Sequence, residues 1–94
     1  MSKWRVLVTE NFQDDLIQIL QFISRDKPQA SKKFRKEVLT KIESLHTMPF
    51  RNRQSIYFER ENIRDIVHKG YVITYQIEKK VIKVFSILKH KYRP

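Results

Sequence analysis

Apolar and polar residues follow two different periods along the chain, and the change divides it into a helical part and a sheet part. Residues 3–8, Lys-Trp-Arg-Val-Leu-Val, are rich in strand formers and predict a first strand. Thr9 or Asn11 is then the expected N-cap of a helix. The apolar positions that follow have the i, i+4, i+7, i+8 spacing of one helix face: Phe12, Leu16, Ile19, Leu20 and Ile23.

A second helix is predicted directly after a break at residues 24–28. Pro28 disfavours helix at Lys27 but fits the first position of a new helix, which we expect from about Pro28 to His46. Its apolar positions again have helical spacing: Ala30, Phe34, Val38, Ile42 and Leu45. Its opposite face is basic and carries Lys32, Lys33, Lys36 and Lys41. A short link between two long helices predicts an antiparallel hairpin.

Beyond a loop over residues 48–54 the apolar period shortens to about two, which is typical of strands. The candidate strands are 56–58, 63–67, 71–77 and 81–88. The order β-α-α-β-β-β(-β) predicts an α+β fold, with the helical hairpin packed on one face of a small, twisted, mostly antiparallel sheet. We expect residues 1–94 to form a single domain whose other sheet face presents Tyr, Arg and Lys side chains to a partner.

Charge and composition narrow the class of protein. The formal net charge is +10, and residues 48–94 hold eleven Lys/Arg against four Asp/Glu. A basic domain of this kind attracts nucleic acid, ribosomes, anionic membranes or acidic proteins. The chain has no cysteine, which excludes disulfides, thiolate metal sites and a thiol nucleophile. Without a signal-peptide pattern or a long apolar run, we expect a cytoplasmic protein that does not bind membranes.

Several stretches together resemble the RelE/ParE toxin superfamily, and they span nearly the whole chain. They are Asp15-Leu16-Ile17…Ile19…Phe22-Ile23, Lys27-Pro28-Gln29-Ala30-Ser31-Lys32-Lys33-Phe34, Ile42…Leu45…Met48-Pro49, Ile63-Arg64-Asp65-Ile66, Tyr71-Val72-Ile73-Thr74-Tyr75-Gln76-Ile77 and Ile87-Leu88-Lys89-His90…Arg93. The resemblance implies the toxin of a bacterial type II toxin–antitoxin pair, neutralised by a small, acidic antitoxin that wraps it. A homodimer or a toxin–antitoxin hetero-oligomer is compatible with this resemblance.

The superfamily contains two mechanisms, and the resemblance slightly favours one of them. The Asp-Lys-Pro-Gln-Ala…Phe bend and the His…Arg ending are more similar to ParE-like members, which poison DNA gyrase and cleave nothing. RelE-like members are ribosome-dependent, metal-free mRNA endonucleases. If this chain were such a nuclease, His90, Arg64 and Tyr92 would be its catalytic candidates. Many members carry an Arg after the Tyr that opens the penultimate strand, whereas Val72 follows Tyr71 here.

Basic residues outside the helices are the candidates for binding a target or nucleic acid. They are Arg51, Arg53, Arg60, Lys69, Lys89, Lys91 and Arg93. Arg51 and Arg53 have the stronger case, because loops on a rigid scaffold often carry function. The three histidines lack metal-ligand spacing, so we expect no metal and no cofactor. Two further classes stay open: a non-toxic basic nucleic-acid-binding domain, and an inactive toxin relic retained as an interaction module.

Overall fold

The computed structural model describes residues 4–90, which form two long helices, one short 3-10 helix and five strands. The elements in chain order are β1 (Arg5–Val8), α1 (Glu10–Asp26), α2 (Pro28–Glu43), the 3-10 helix (Ser44–His46), β2 (Arg53–Gln54), β3 (Ile63–His68), β4 (Tyr71–Glu78) and β5 (Val81–Lys89). In this described part of the chain no helix is both long and apolar enough to cross a membrane.

The strands form one sheet in the order β1-β5-β4-β3-β2. β1 runs parallel to β5, with Arg5 opposite Val81, and the other neighbouring strands are antiparallel. The helical hairpin lies on one face of this sheet, so the predicted α+β fold and its mostly antiparallel sheet are confirmed. The outermost strand β2 has only two residues and pairs with Arg64 and Asp65 of β3.

The helix boundaries follow local chemistry. Thr9 is the N-cap of α1, because its Oγ1 accepts a hydrogen bond from the backbone N–H of Phe12 at 3.1 Å. α1 continues through the predicted break as far as Asp26, so that Lys27 alone separates it from α2. The Ser31 hydroxyl donates to the Leu20 carbonyl at 2.8 Å and joins the two helices near the bend.

The core lies between the hairpin and the sheet. The buried side chains that form it are Phe12, Leu16, Phe34, Val38, Ile42, Leu45, Ile66, Ile73, Tyr75, Ile77, Ile82, Val84 and Ile87. Phe34 and Ile73 are both buried, as the predicted packing of the hairpin on the sheet requires. Burying such side chains contributes about 1.5–3 kcal/mol each, before the entropy of ordering the chain is subtracted.

The predicted strand at residues 56–58 is wrong. The backbone N–H of Ile56 donates to the Asp65 carboxylate at 3.0 Å instead of continuing a ladder with a backbone carbonyl. The segment therefore leaves the sheet edge after Ser55 and crosses the face opposite the helices, where Phe58 packs edge-on against Phe85 at 5.8 Å. A register shift between β4 and β5 leaves Phe85 without an opposite residue, which is the pattern of a β-bulge.

This crossing changes the expected exposure of the second sheet face. Val72 and Thr74 are two of the β4 residues that alternate away from the helices, and they are only 1% and 2% exposed. The face opposite the hairpin, which the sequence predicts to present Tyr, Arg and Lys side chains to a partner, is thus partly covered by the chain itself. His68 lies beside the β3–β4 turn, yet only 10% of its side chain is accessible.

Candidate functional site

Residues 47–62, here called the 47–62 connection, link the 3-10 helix to β3 and carry much of the exposed apolar surface. Among residues 4–90, eleven large hydrophobic side chains are exposed, and five of them lie in this connection: Met48, Phe50, Ile56, Tyr57 and Phe58. Exposed Arg51, Arg53 and Arg60 lie among them. Aromatic residues, Met and Arg are the residue types enriched in protein–protein interfaces.

The first part of the connection is fixed by a buried tyrosine of β4. The Tyr75 hydroxyl donates to the Pro49 carbonyl oxygen at 2.5 Å and accepts from the Asn52 side-chain amide at 3.0 Å. Burial raises the pKa of the Tyr75 phenol, and the hydrogen bond from Asn52 opposes that rise. The phenol therefore stays protonated at neutral pH and can donate to Pro49.

Arg64 of β3 fixes the same part from the other side. Its Nη1 donates to the backbone carbonyl oxygens of Asn52 at 2.8 Å and Phe50 at 3.4 Å. Its Nε donates to the backbone carbonyl oxygen of Glu61 at 2.9 Å. The guanidinium also lies over the Phe50 ring, 5.2 Å from the ring centroid. The Trp4 and Phe50 rings form a T-shaped pair with 5.8 Å between their centroids. Phe50 is thus held in place while 53% of it remains exposed.

A buried carboxylate fixes the second part of the connection. Asp65 has no accessible side-chain surface, and its carboxylate accepts from the Thr74 hydroxyl at 3.1 Å and from the Ile56 N–H at 3.0 Å. Arg53 Nη2 lies 3.9 Å from the same carboxylate. The Ser55 hydroxyl accepts from the Tyr57 N–H at 3.1 Å. The bonds from the backbone N–H groups of Ile56 and Tyr57 give side-chain acceptors to two donors that are not paired in the sheet ladder.

Tyr57, in the second half of the connection, lies close to the end of β5. Its hydroxyl lies 3.5 Å from His90 Nδ1, and the backbone N–H of His90 donates to the Gly70 carbonyl at 2.7 Å. Lys89 is exposed beside them. Tyr57, Lys89 and His90 therefore form a polar corner where the connection, the β3–β4 turn and β5 come together.

The structure distributes the predicted binding residues over separate regions. Arg51, Arg53 and Arg60 lie on the connection, and Lys89 lies at the Tyr57–His90 corner. Lys69 binds the Glu37 carboxylate of α2 at 2.9 Å. The remaining predicted residues, Lys91, Tyr92 and Arg93, lie outside the described residues.

Arg64 and His90, the two described nuclease candidates, are not brought together. Arg64 pairs with Tyr75, whereas Lys89 pairs with Tyr71 four residues away, which is about 13 Å along the strands. Arg64 donates to three loop carbonyls, and His90 contacts Tyr57 at the other end of the sheet. Within residues 4–90, no group of three or more His, Asp or Glu side chains could hold a metal ion.

The sequence predicts a binding role for the cations of the connection but not for its exposed aromatic residues. Phe50 falls in the loop over residues 48–54, and Tyr57 and Phe58 fall in the predicted strand 56–58. The available signal was the run Met48-Pro49-Phe50-Arg51, in which large apolar residues stand beside Pro and Arg outside any periodic segment. The connection is anchored by hydrogen bonds and exposes the residue types that are enriched in protein interfaces.

Comparison with known proteins identifies the family of this chain. The model of the ParE toxin of the type II toxin–antitoxin system parDE matches residues 6–94. This chain belongs to the ParE toxin family. A search of curated proteins finds no match. Among solved structures, a chromosomal ParDE toxin–antitoxin system from P. aeruginosa is similar, with a TM-score of 0.78 and 13% identity over 94% of this chain and 97% of that one.

Family membership establishes the general role of the chain. As a ParE toxin family member it is the toxin of a type II toxin–antitoxin system, and its partner is a cognate antitoxin. The expected superfamily, its ParE-like branch and the toxin function are thereby confirmed. The structural similarity to the ParDE system supports the fold of the ParE toxin, namely two helices on a five-stranded mixed sheet.

Proposed function

We propose that this ParE toxin inhibits bacterial DNA gyrase through direct contact of the 47–62 connection with the enzyme. The observation that carries the proposal is the exposure of Met48, Phe50 and Tyr57 on a connection held rigid by Tyr75, Arg64 and Asp65. Aromatic and Arg side chains that are already ordered lose little entropy on binding, so they suit a tight protein interface. Gyrase inhibition is the activity expected of the ParE family.

The test is a supercoiling assay with purified gyrase, relaxed plasmid and the purified toxin. Phe50→Ala and Arg51→Gln should each weaken inhibition by about tenfold or more, since truncating an interface hot spot costs about 2 kcal/mol. Phe22→Ala and Arg25→Gln remove an exposed aromatic ring and an exposed cation from α1 and serve as matched controls. Equal loss of inhibition in both pairs would contradict a specific role of the connection.

The alternative mechanism, a ribosome-dependent mRNA endonuclease, predicts a different outcome in cells. Expression of the toxin would then produce codon-positioned mRNA cuts with intact DNA, and His90→Ala with Arg64→Ala would abolish the cuts. Because Arg64 also holds the connection, the His90→Ala single variant is the cleaner test of catalysis. Gyrase inhibition instead predicts DNA damage with intact mRNA, and His90→Ala should leave the mRNA pattern unchanged.

The antitoxin is proposed to form a hetero-oligomer with this toxin in the cytoplasm. A net charge of +10 favours an acidic partner, and the exposed apolar side chains of the connection favour one that also brings apolar residues. Co-expression followed by size-exclusion chromatography with light scattering measures the stoichiometry. A toxin that remains monomeric beside its co-expressed antitoxin would refute this part of the proposal.

A further inference from the structure

The solvent side of α2 carries an unusual density of positive charge. The ten residues 32–41 contain five cations and one acid, and these cations form what we call the α2 basic face: Lys32, Lys33, Arg35, Lys36 and Lys41. Four of the five are exposed and Lys41 is half-buried. None of them forms an ion pair with another residue between 4 and 90. Their charges are therefore available to an external anion.

The single acid within this stretch is neutralised by the sheet. Glu37 Oε1 lies 2.9 Å from Lys69 Nζ and 3.0 Å from His68 Nε2. The hydrogen bond from Lys69 is the main reason that the pKa of Glu37 is lowered, so its carboxylate stays ionised and bound to the β3–β4 turn. Glu37 thus binds the turn instead of the neighbouring lysines, and a shallow hollow lined by Lys33, Lys36 and Lys41 opens beside it.

The neighbouring helix has the opposite charge. α1 contains one cation, Arg25, and four acids: Glu10, Asp14, Asp15 and Asp26. Since α1 and α2 lie side by side, the hairpin has an acidic half and a basic half. A polyanion is attracted to α2 and repelled from α1, so the hairpin fixes where such a ligand can lie.

The composition of the α2 basic face distinguishes it from the connection. Leu39 is the one large apolar side chain exposed on α2, whereas the connection exposes five. Protein interfaces have an apolar centre and are depleted in Lys, but phosphate backbones are bound by Lys and Arg without apolar contact. The face therefore favours a nucleic-acid backbone over an acidic protein such as an antitoxin.

We infer that the α2 basic face binds the phosphate backbone of duplex DNA. This inference rests on the proposed function for the choice of DNA, because gyrase acts on duplex DNA while the connection would contact the enzyme. Lys33, Lys36 and Lys41 line the same hollow on one side of the helix and span about 12 Å of helix axis, which matches about three to four phosphate steps of one strand. The toxin thus touches enzyme and DNA with two different surfaces.

The direct test is fluorescence anisotropy of a labelled 20-base-pair duplex titrated with the full chain over a series of salt concentrations. Lys33→Gln/Lys36→Gln should weaken binding by about tenfold near ~100 mM salt and reduce the slope of log affinity against log salt by about two. Lys79→Gln/Lys83→Gln removes two exposed charges at the β4–β5 turn and on β5, and should change both quantities much less.

Several outcomes decide against the inference. If the two double variants weaken DNA binding equally, the binding arises from non-specific attraction by the net charge and not from the α2 basic face. A single-stranded RNA of equal length that binds tighter than the duplex, or loss of antitoxin binding with unchanged DNA binding, would assign the face to another class of partner. Circular dichroism confirms that each variant is folded before it is scored.

The supercoiling assay separates this inference from the proposed function. If the wild-type toxin leaves supercoiling intact, the gyrase proposal fails while the anisotropy result stands by itself. If the wild type inhibits gyrase and Lys33→Gln/Lys36→Gln inhibits it equally well, the proposed function survives and the role of the α2 basic face in it is refuted. If Lys33→Gln/Lys36→Gln inhibits gyrase more weakly than the wild type while Lys79→Gln/Lys83→Gln does not, the result supports both the proposed function and the role of the α2 basic face.

Discussion

The Tyr75 hydroxyl donates a hydrogen bond to the carbonyl oxygen of Pro49 across 26 positions of the chain. This bond joins the central part of β4 to the exposed connection that we propose as the contact surface for gyrase. It also accounts for how a connection with exposed Phe50 and Met48 can be ordered, because its backbone carbonyls are bound from inside the molecule. Packing in the core is therefore linked directly to the shape of the candidate site.

Removing that hydroxyl should destabilise the protein and loosen the connection. Tyr75→Phe leaves the Pro49 carbonyl and the Asn52 amide without their partner, which costs about 1–3 kcal/mol of the free energy of unfolding in urea. Hydrogen exchange should accelerate at residues 50–54 in the same variant. Tyr71→Phe is the control, because the Tyr71 hydroxyl makes no hydrogen bond to residues 4–90. Equal stability of both variants would refute the role of the Tyr75–Pro49 bond.

Replacing the buried Asp65 carboxylate should disturb the second half of the connection. In Asp65→Asn the amide has only one oxygen to accept from both Ile56 and Thr74, so we expect a loss of about 1–3 kcal/mol in the free energy of unfolding. Asp14→Asn on the exposed side of α1 is the matched control. Chemical denaturation measures the free energy of unfolding of both variants. A smaller loss in Asp65→Asn than in Asp14→Asn would contradict the anchoring role of Asp65.

Glu37 should give the protein a pH-dependent contribution to stability. Its pKa is lowered in the folded state, mainly by the hydrogen bond from Lys69, so the contribution is complete above the ordinary carboxyl pKa of 4.5 and is lost as pH falls through the lower folded value. The difference in unfolding free energy between wild type and Glu37→Gln should therefore be largest near neutral pH and shrink below about pH 4. A difference that grows on acidification would contradict this sign.

The start of α1 allows the two expected N-caps to be compared. Thr9→Ala removes the side-chain acceptor of the Phe12 N–H and should cost about 1 kcal/mol. Asn11→Ala lies in the first turn without a capping bond and should change stability by less than about 0.5 kcal/mol. Thermal or urea denaturation of both variants measures the difference. A larger effect at Asn11 would place the cap at the other candidate.

The sequence by itself determined the elements that depend on local periodicity. The apolar spacing of Phe12 to Ile23 and of Phe34 to Leu45 was sufficient for both helices, since a helical stripe identifies its own buried face. Alternation of apolar and polar residues over β4 and β5 was sufficient to predict these two strands. The order of the predicted elements then indicated the fold, and together with the matching stretches it indicated the family. These properties follow from side chains that are neighbours in the chain or one turn apart.

The tertiary structure alone decided the path of the 47–62 connection and with it the candidate site. Ile56-Tyr57-Phe58 has the composition of a strand, but the Asp65 carboxylate takes the N–H of Ile56 and turns the segment across the sheet. Arg64, a catalytic candidate in the sequence, donates its guanidinium hydrogen bonds to backbone carbonyls of the same connection. The Ile56–Asp65 and Arg64–Asn52 bonds join residues nine and twelve positions apart, so no local sequence pattern predicts them, and only the assembled sheet brings the partners within reach.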